Sequence, residues 1–311
     1  MEPADSGSDT APALVLLAAG RGTRFGGPKQ LATLGPRGET ILDFSIYDAR
    51  RAGFGRAVLV VRRDVRDVFE RTIAGRWRQH LPVELVDQDD DSLSLGVARS
   101  AARQKPWGTG HAVLSVAGVV DTPFVAANAD DFYGADAFRS LGAILRDPPA
   151  GPLPTFASLG FPLRDTLTDA GGVNRAVLRA SRDGWLEEIE EIKAIDRDGR
   201  DGRYRTAAGE SRRIAGETPV STNIWGFTPA IFDMLESEFR DFVVEHGNRE
   251  DTEFELPTVV NAVVRRGGAR VRVLRGVGPW CGVTYPEDVA FVAATLRDLV
   301  DRGAYPRCLW A

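Results

Sequence analysis

The sequence predicts an α/β protein: a Rossmann-like, mostly parallel central sheet with helices on both faces, extended by a mixed β half. Three observations carry this. Apolar, β-rich runs alternate with helical patterns through residues 13–130, as expected of βαβ units with right-handed crossovers. Polar segments follow two of those runs, at the strand ends where open parallel sheets bind ligands. Beyond residue 150 the pattern changes to strand-like pieces joined by turn-rich segments.

Taken in order, ALVLLAAG (13–20) reads as a buried strand and TILDFSIYDARRAG (40–53) as a helix ending at Gly53. RAVLVVRR (56–63) reads as a strand and VRDVFERTIAGRW (65–77) as a helix. PVELVDQ (82–88) is the third strand, GHAVLSVAGVV (110–120) a helix, and PFVAANAD (123–130) the fourth strand. In the second half, residues 155–163, 176–195 and 219–232 read as strand-like, and the polar stretch 194–213 as a flexible hairpin or insertion. A helix over 286–303 closes the chain, with Pro286 at the first helical position and acids in its first turn. The expected organisation is a disordered lead (1–12), one domain (13–303) and a tail (304–311). Within that domain, residues 13–150 and 151–285 form two halves ahead of the closing helix.

Composition narrows the function classes. The 311 residues, 43% hydrophobic and 27% charged, are those of an ordinary globular protein. A net charge of −5 argues against a nucleic-acid surface. Two cysteines and three histidines build neither a disulfide framework nor a four-ligand zinc site. The opening MEPADSGSDTAPA has no charged region ahead of an apolar one, so it does not read as a signal peptide. No apolar run approaches the ~20 residues of a membrane span. A cytoplasmic location is expected.

The richest segment is LAAGRGTRFGGPKQ, Leu17 to Gln30. A glycine-rich turn leaving a strand exposes backbone N–H groups, and a following helix adds partial positive charge, which together cradle phosphate. Lysine is scarce, at Lys29, Lys105 and Lys193 only among 39 basic residues, so its presence here is informative. The spacing fits neither GxxxxGK[ST], because the lysine sits in GGPKQ, nor GxGxxG, because Phe25 takes the last glycine position.

This segment resembles the signature loop of the nucleotidylyltransferases that activate sugar phosphates, Gly-x-Gly-Thr-Arg followed by Pro-Lys. The resemblance implies that Leu17, Ala19, Gly20, Gly22 and Thr23 line a nucleotide, Arg24 holds its β and γ phosphates, and Lys29 lies at the reaction centre. NADDFYG resembles the family's strand-end acid, which makes Asp130 a ligand for Mg²⁺, with Asp131 assisting. KPWGTGHAV resembles the turn under the nucleobase, bringing Gly108 and Thr109 near the base; His111 stands where a small residue or glutamine is more usual. Gln88 takes the place of a glutamine that pairs with a uracil or thymine edge. WLEEIEEIKAI is similar to the strand whose glutamate holds sugar hydroxyls and whose lysine grips the sugar phosphate, matching Glu191 and Lys193. Two-residue spacing puts both on one strand face. Gly172 and Val173 match the sugar-contacting turn, with Arg175 as a further phosphate contact, and Asn223 stands in the sugar-pocket strand where the family has glycine. One departure is Gly282, in WCGVTYPED, which stands where relatives carry a second metal-binding acid; Asp131, Thr284 or a water could complete the coordination.

The resemblance implies an Mg²⁺-dependent nucleotidyltransferase that joins an NTP, with UTP or dTTP favoured, to a sugar 1-phosphate and releases pyrophosphate. Two alternatives stand beside it: a CTP-dependent enzyme for an alditol or amino-alcohol phosphate, and a catalytically silent nucleotide-sugar-binding protein. A dehydrogenase fails on glycine spacing.

Overall fold

The computed structural model describes residues 11–20, 29–88, 106–169, 171–247, 249, 252–283 and 286–310. In chain order its first half contains β1 (Ala13–Leu17), α1 (Ile41–Arg51), β2 (Arg56–Val61), α2 (Arg66–Phe69), α3 (Gly75–Trp77), β3 (Val83–Asp87), α4 (Thr109–Leu114), β4 (Phe124–Asn128), β5 (Asp131–Phe132) and α5 (Ala135–Arg146). Next come β6 (Thr155–Pro162), β7 (Val173–Ala180), β8 (Leu186–Asp198), β9 (Asp201–Arg205), β10 (Ser211–Ile214), β11 (Pro219–Ser221) and β12 (Trp225–Phe227). Helices α6 (Ile231–His246) and α7 (Leu256–Arg265), strands β13 (Arg270–Arg275) and β14 (Cys281–Gly282), and α8 (Asp288–Asp301) complete the chain.

β1 shows why the sheet forms. All five of its residues are buried, and it pairs in parallel with both β2 and β4. Side chains alternate along a strand, so Leu14 and Leu16 join the core under α1, α5 and α8, while Ala13, Val15 and Leu17 join the core under α4, α6 and α7. Each Val or Leu buried this way contributes roughly 1.5–3 kcal/mol. The sheet is continuous through both halves. β12 lies antiparallel between β4 and β6, while β6 and β13 pair in parallel. The β11-β7-β8-β9-β10 end is antiparallel throughout.

The ends of α1 follow from its sequence. Thr40 and Asp43 form a capping box, and Gly53 adopts a φ of +83° just past the C-cap. Asp43 is buried and also accepts from Trp77 Nε1 at 2.8 Å and Arg76 Nη1 at 2.9 Å, which ties α1 to α3.

Several expectations are corrected. The 65–77 helix is interrupted by a π-helical turn at Glu70–Ala74. The helix expected over 110–120 is α4, ending at Leu114. Residues 176–195 belong to a hairpin, β7 and β8, turning at Gly184 with a φ of +75°. The stretch 194–213 does form a hairpin, but one built into the sheet, β9 pairing with β8 and β10 with β9. Strand character in 219–232 stops at Phe227, and α6 follows; Ile231, Phe232, Leu235, Phe239 and Val243 are buried at helical spacing. The closing helix starts at Asp288, two residues past Pro286. The expected tail is docked: Tyr305 and Leu309 are buried, and Tyr305 donates to Asp48 Oδ2 at 2.6 Å. Among the described residues no helix is long and apolar enough to cross a membrane.

Candidate active site

The carboxyl ends of β1 and β4 lie side by side, Leu17 opposite Asn128, and the polar residues of the site gather there. Leu17 and Ala19 are buried, and Gly20 is the first exposed residue past β1. Its carbonyl accepts from Gln30 Nε2 at 3.4 Å and Arg62 Nη1 at 3.3 Å. Gly22, Thr23 and Arg24 lie outside the described residues, as do Lys105 and Thr284.

Lys29 pairs through Nζ with Asp130 Oδ2 and donates to the Val283 carbonyl at 2.9 Å. One ammonium thus bridges the end of β4 and the end of β14. Asp131 begins β5, whose antiparallel partner β14 sets Asp131 opposite Gly282. A Cβ at position 282 would press into Asp131 Oδ1 and stand 3.2 Å from Trp280 Cζ2. The missing side chain at 282 is therefore the room in which the Asp131 carboxylate sits.

A relay of side chains fixes that carboxylate. Trp225 Nε1 donates to Asn223 Oδ1 at 3.1 Å, Asn223 Nδ2 to Asn128 Oδ1 at 2.7 Å, and Asn128 Nδ2 to Asp131 Oδ2 at 2.9 Å. The Tyr133 hydroxyl donates to the Thr222 carbonyl at 2.8 Å and lies 3.3 Å from Asp131 Oδ2. Asn223 holds a φ of +61°, which asparagine tolerates better than most residues. Its amide is engaged on both sides, so from the cavity wall it orients Asp131 through Asn128. Burial first, then repulsion from Asp130, pushes the Asp131 carboxyl above its ordinary pKa, against Asn128, Arg175 and Lys29. Buried Cys281 is pushed up to about 12, first by burial and then by Asp131, and stays a thiol.

Gln88 Nε2 donates to the Gly108 carbonyl at 3.0 Å and lies 3.2 Å from His111 Nδ1, so its amide nitrogen faces the turn. Gly108 has a φ of +112°, and a Cβ there would meet Phe254 O at 2.8 Å. Thr109 Oγ1 accepts from Leu256 N at 3.0 Å, at the start of α7. This turn therefore docks on residues 254–256, and its glycine is required by Phe254.

A cavity of about 260 Å³ opens beside Asp130 and Asp131, with Asn128, Glu191, Thr222 and Asn223 in its wall. Arg175 also lines it and is anchored: Nε donates to Thr166 Oγ1 at 3.1 Å, Nη2 to Thr166 O at 2.6 Å and Nη1 to Asn174 O at 2.8 Å. The guanidinium stacks over Trp280 at 5.0 Å. Gly172 packs against Ala194, with 3.2 Å left for a Cβ. Strict alternation fails along β8, where Leu186, Ile189, Ile192 and Ile195 are buried at every third position. Glu191 accordingly lines this cavity, while Lys193 lines an adjoining one of about 810 Å³.

Sequence reasoning missed Asn128, Tyr133, Thr222 and Trp280 as site residues. Asn128 and Tyr133 stand within NADDFYG and were readable from it. Glu253 and Glu255, also in the cavity wall, carry no motif at all.

Lys29, Asp130, Asp131 and Arg175 thus gather cations and carboxylates at and beside the strand ends of the sheet, where open α/β sheets bind ligands. Residues 14–140 match the family model of the MobA-like NTP transferase domain. No curated protein sequence matches the chain. Solved structures share the fold across almost its whole length. The inositol-1-phosphate CTP transferase from T. maritima is 14% identical, with a TM-score of 0.57, covering 92% of this chain and 96% of that one. A UDP-glucose pyrophosphorylase complexed with UDP-glucose is 15% identical, with a TM-score of 0.58 and coverage of 92% and 98%. The UDP-glucose pyrophosphorylase from Acinetobacter baumanii is 16% identical, with a TM-score of 0.58 and coverage of 92% and 93%.

Proposed function

We propose that this protein transfers a nucleotidyl group from an NTP, UTP or dTTP by preference, to a sugar 1-phosphate, in the cytoplasm. The observation that carries the reading is the pairing of Lys29 with Asp130 at the wall of an open polar cavity. An oxygen of the acceptor phosphate attacks the α-phosphorus; the new P–O bond forms as the bond to pyrophosphate breaks, and pyrophosphate leaves with that electron pair. Such a transfer demands positioning and charge neutralisation more than covalent chemistry. Lys29 supplies positive charge at the reacting phosphates, and Arg24 is assigned the β and γ phosphates. Gly20, Gly22, Thr23, Gln88, Gly108 and Thr109 form the nucleotide side. Glu191, Arg175, Gly172 and Asn223 form the acceptor side, with Lys193 next to them.

The donor set suits Mg²⁺. Asp130 and Asp131 offer adjacent hard oxygen ligands, as suits a cation that takes one or two carboxylates and completes its shell with phosphate and water. When bound, Mg²⁺ would neutralise phosphate charge. Asp131, held by Asn128 and lodged against Gly282, takes the place of the acid absent at 282.

The test crosses the common NTPs with sugar 1-phosphates and measures pyrophosphate release with Mg²⁺ present. Release is expected only with both substrates, and Lys29→Ala and Asp130→Asn should each lower kcat at least 100-fold with melting unchanged. Unaltered turnover in both variants would overturn the site.

A further inference from the structure

Gln88 and His111 meet between two fixed pieces of backbone. Gln88 directly follows β3, and its N–H donates to the Val61 carbonyl at the end of β2 at 2.8 Å. His111 stands in α4 and is fully buried. Its ring packs on Phe239 with centroids 4.9 Å apart, and Phe239 is wedged in turn against Trp107 at 5.5 Å and Phe254 at 5.1 Å. The turn ahead of α4 is stapled to Phe254 from both sides. Gly110 N donates to the Phe254 carbonyl at 2.8 Å, and Phe254 N to the Trp107 carbonyl at 2.6 Å. Close packing of this kind holds the His111 ring in place.

The polarity of the Gln88 amide follows from these contacts. The Gly108 carbonyl, which also accepts from Ala112 N at 3.1 Å, can only accept, so the atom 3.0 Å from it is the Gln88 nitrogen. The same nitrogen lies 3.2 Å from His111 Nδ1. A primary amide carries two N–H groups. With one on Gly108, the other faces Nδ1, which accepts it when the ring proton sits on Nε2. Turning the amide over would set its oxygen against the Gly108 carbonyl, acceptor against acceptor. Both donors of Gln88 are therefore spent inside the protein. Its Oε1 has no partner among the described residues, and it belongs to a half-buried side chain rather than to the sealed interior. The amide shows an incoming ligand one fixed acceptor and no donor.

We propose that His111 is a specificity-determining positioning residue: by holding the Gln88 amide in one orientation, it selects a base with an N–H on its pairing edge, uracil or thymine, and rejects cytosine. This rests on the nucleotidyl-transfer reading above, with Gln88 at the base. Uracil and thymine carry a hydrogen on N3, which donates to Oε1. Cytosine has a lone pair at N3, which meets Oε1 acceptor to acceptor in the same pose. A glutamine free to turn would offer its oxygen to the first and its nitrogen to the second, and would read both. A site whose polar group is left facing an unmatched one discriminates strongly.

The experiment measures kcat/KM for pyrophosphate release by the full-length protein with Mg²⁺, over the common NTPs and 3-methyl-UTP, in which a methyl replaces the N3 hydrogen. The acceptor is the sugar 1-phosphate that gives the fastest release. Wild type should use UTP or dTTP at least ten-fold better than both CTP and 3-methyl-UTP. His111→Leu, which removes the acceptor, should bring the ratio of UTP to CTP toward one, whereas His111→Asn, whose Oδ1 can stand near the place of Nδ1, should keep it. A His111 that served packing alone would lower activity with every nucleotide alike and leave the ratio unmoved. A thermal melt checks the folding of each variant, and the wild-type ratios stand without it. CTP used as well as UTP, release confined to purine nucleotides, or a folded His111→Leu protein with the wild-type ratio overturns the proposal and leaves nucleotidyl transfer intact. No release with any NTP overturns the nucleotidyl-transfer reading, and the His111 proposal falls with it.

Discussion

Gly282→Ala is the sharpest probe of how the two acids are held. The added methyl would press into Asp131 Oδ1 and crowd Trp280 Cζ2 at 3.2 Å. Asp131 is buried, so its carboxylate can move only by giving up Asn128 Nδ2 at 2.9 Å or the Tyr133 hydroxyl at 3.3 Å. Overpacking a filled site costs about 1–3 kcal/mol, and a buried charged group that loses a partner costs about as much again. The substitution should destabilise the protein by about 2–4 kcal/mol, lowering Tm by roughly 3–6 °C. Thermal and urea denaturation read this directly. Asp131→Ala in the same chain removes the colliding oxygen, so the double variant should be more stable than the sum of the single costs, by about 1–3 kcal/mol. Additive costs, or a Gly282→Ala protein as stable as wild type, would refute the argument.

Burial pushes the Asp48 carboxyl up to about 7, well above the ordinary aspartate range, with the Tyr305 hydrogen bond opposing. Its folded form keeps a proton that the unfolded chain sheds, so this contribution is full below pH ~4, declines as pH rises to ~7 and is flat above, by at most about 4 kcal/mol. Asp48→Asn keeps an acceptor for Tyr305 and should therefore gain stability over wild type at pH 8 relative to pH 5; parallel melting curves across that range would contradict it. Gly108→Ala must place a Cβ 2.8 Å from Phe254 O at a φ of +112°, for an expected loss of about 2–4 kcal/mol in urea denaturation. Asp43→Ala strands Trp77 Nε1 and frees Arg76, and should cost about 3–5 kcal/mol in the same measurement.

The first half was legible because its signals are local. Unbroken apolar runs made β1, β2 and β4 readable, and strand ends pointed to Gly20 and Asp130. The second half was harder because its elements answer to distant partners. β8 buries every third residue along its pairing with β7, whose register shifts twice, which the pattern of alternating charge conceals. α6 did carry a helical spacing from Ile231 to Val243, hidden behind the strand-like WGF before it. In the site, Lys29 and Glu191 announced themselves by residue type and motif. Asn223 acquires its task only when Asn128, ninety-five positions away, comes alongside, and Glu253 and Glu255 gain significance only from the cavity they face. No local pattern encodes either.

The ladder between β5 and β14 joins Asp131 to Gly282, and Lys29 reaches the Val283 carbonyl across 254 positions. A chain emerging from the ribosome can assemble β1 to β4 early, since all four strands lie within its first 128 residues. At about 5–20 residues per second, the 282 − 131 = 151 residues that follow Asp131 take roughly 8–30 s to appear. Throughout that interval a nascent chain possesses the strands that flank the glycine loop but has no strand to set Asp131 in register. Competence therefore arrives with the carboxyl-terminal segment, and a prematurely terminated chain is expected to be inert toward nucleotide.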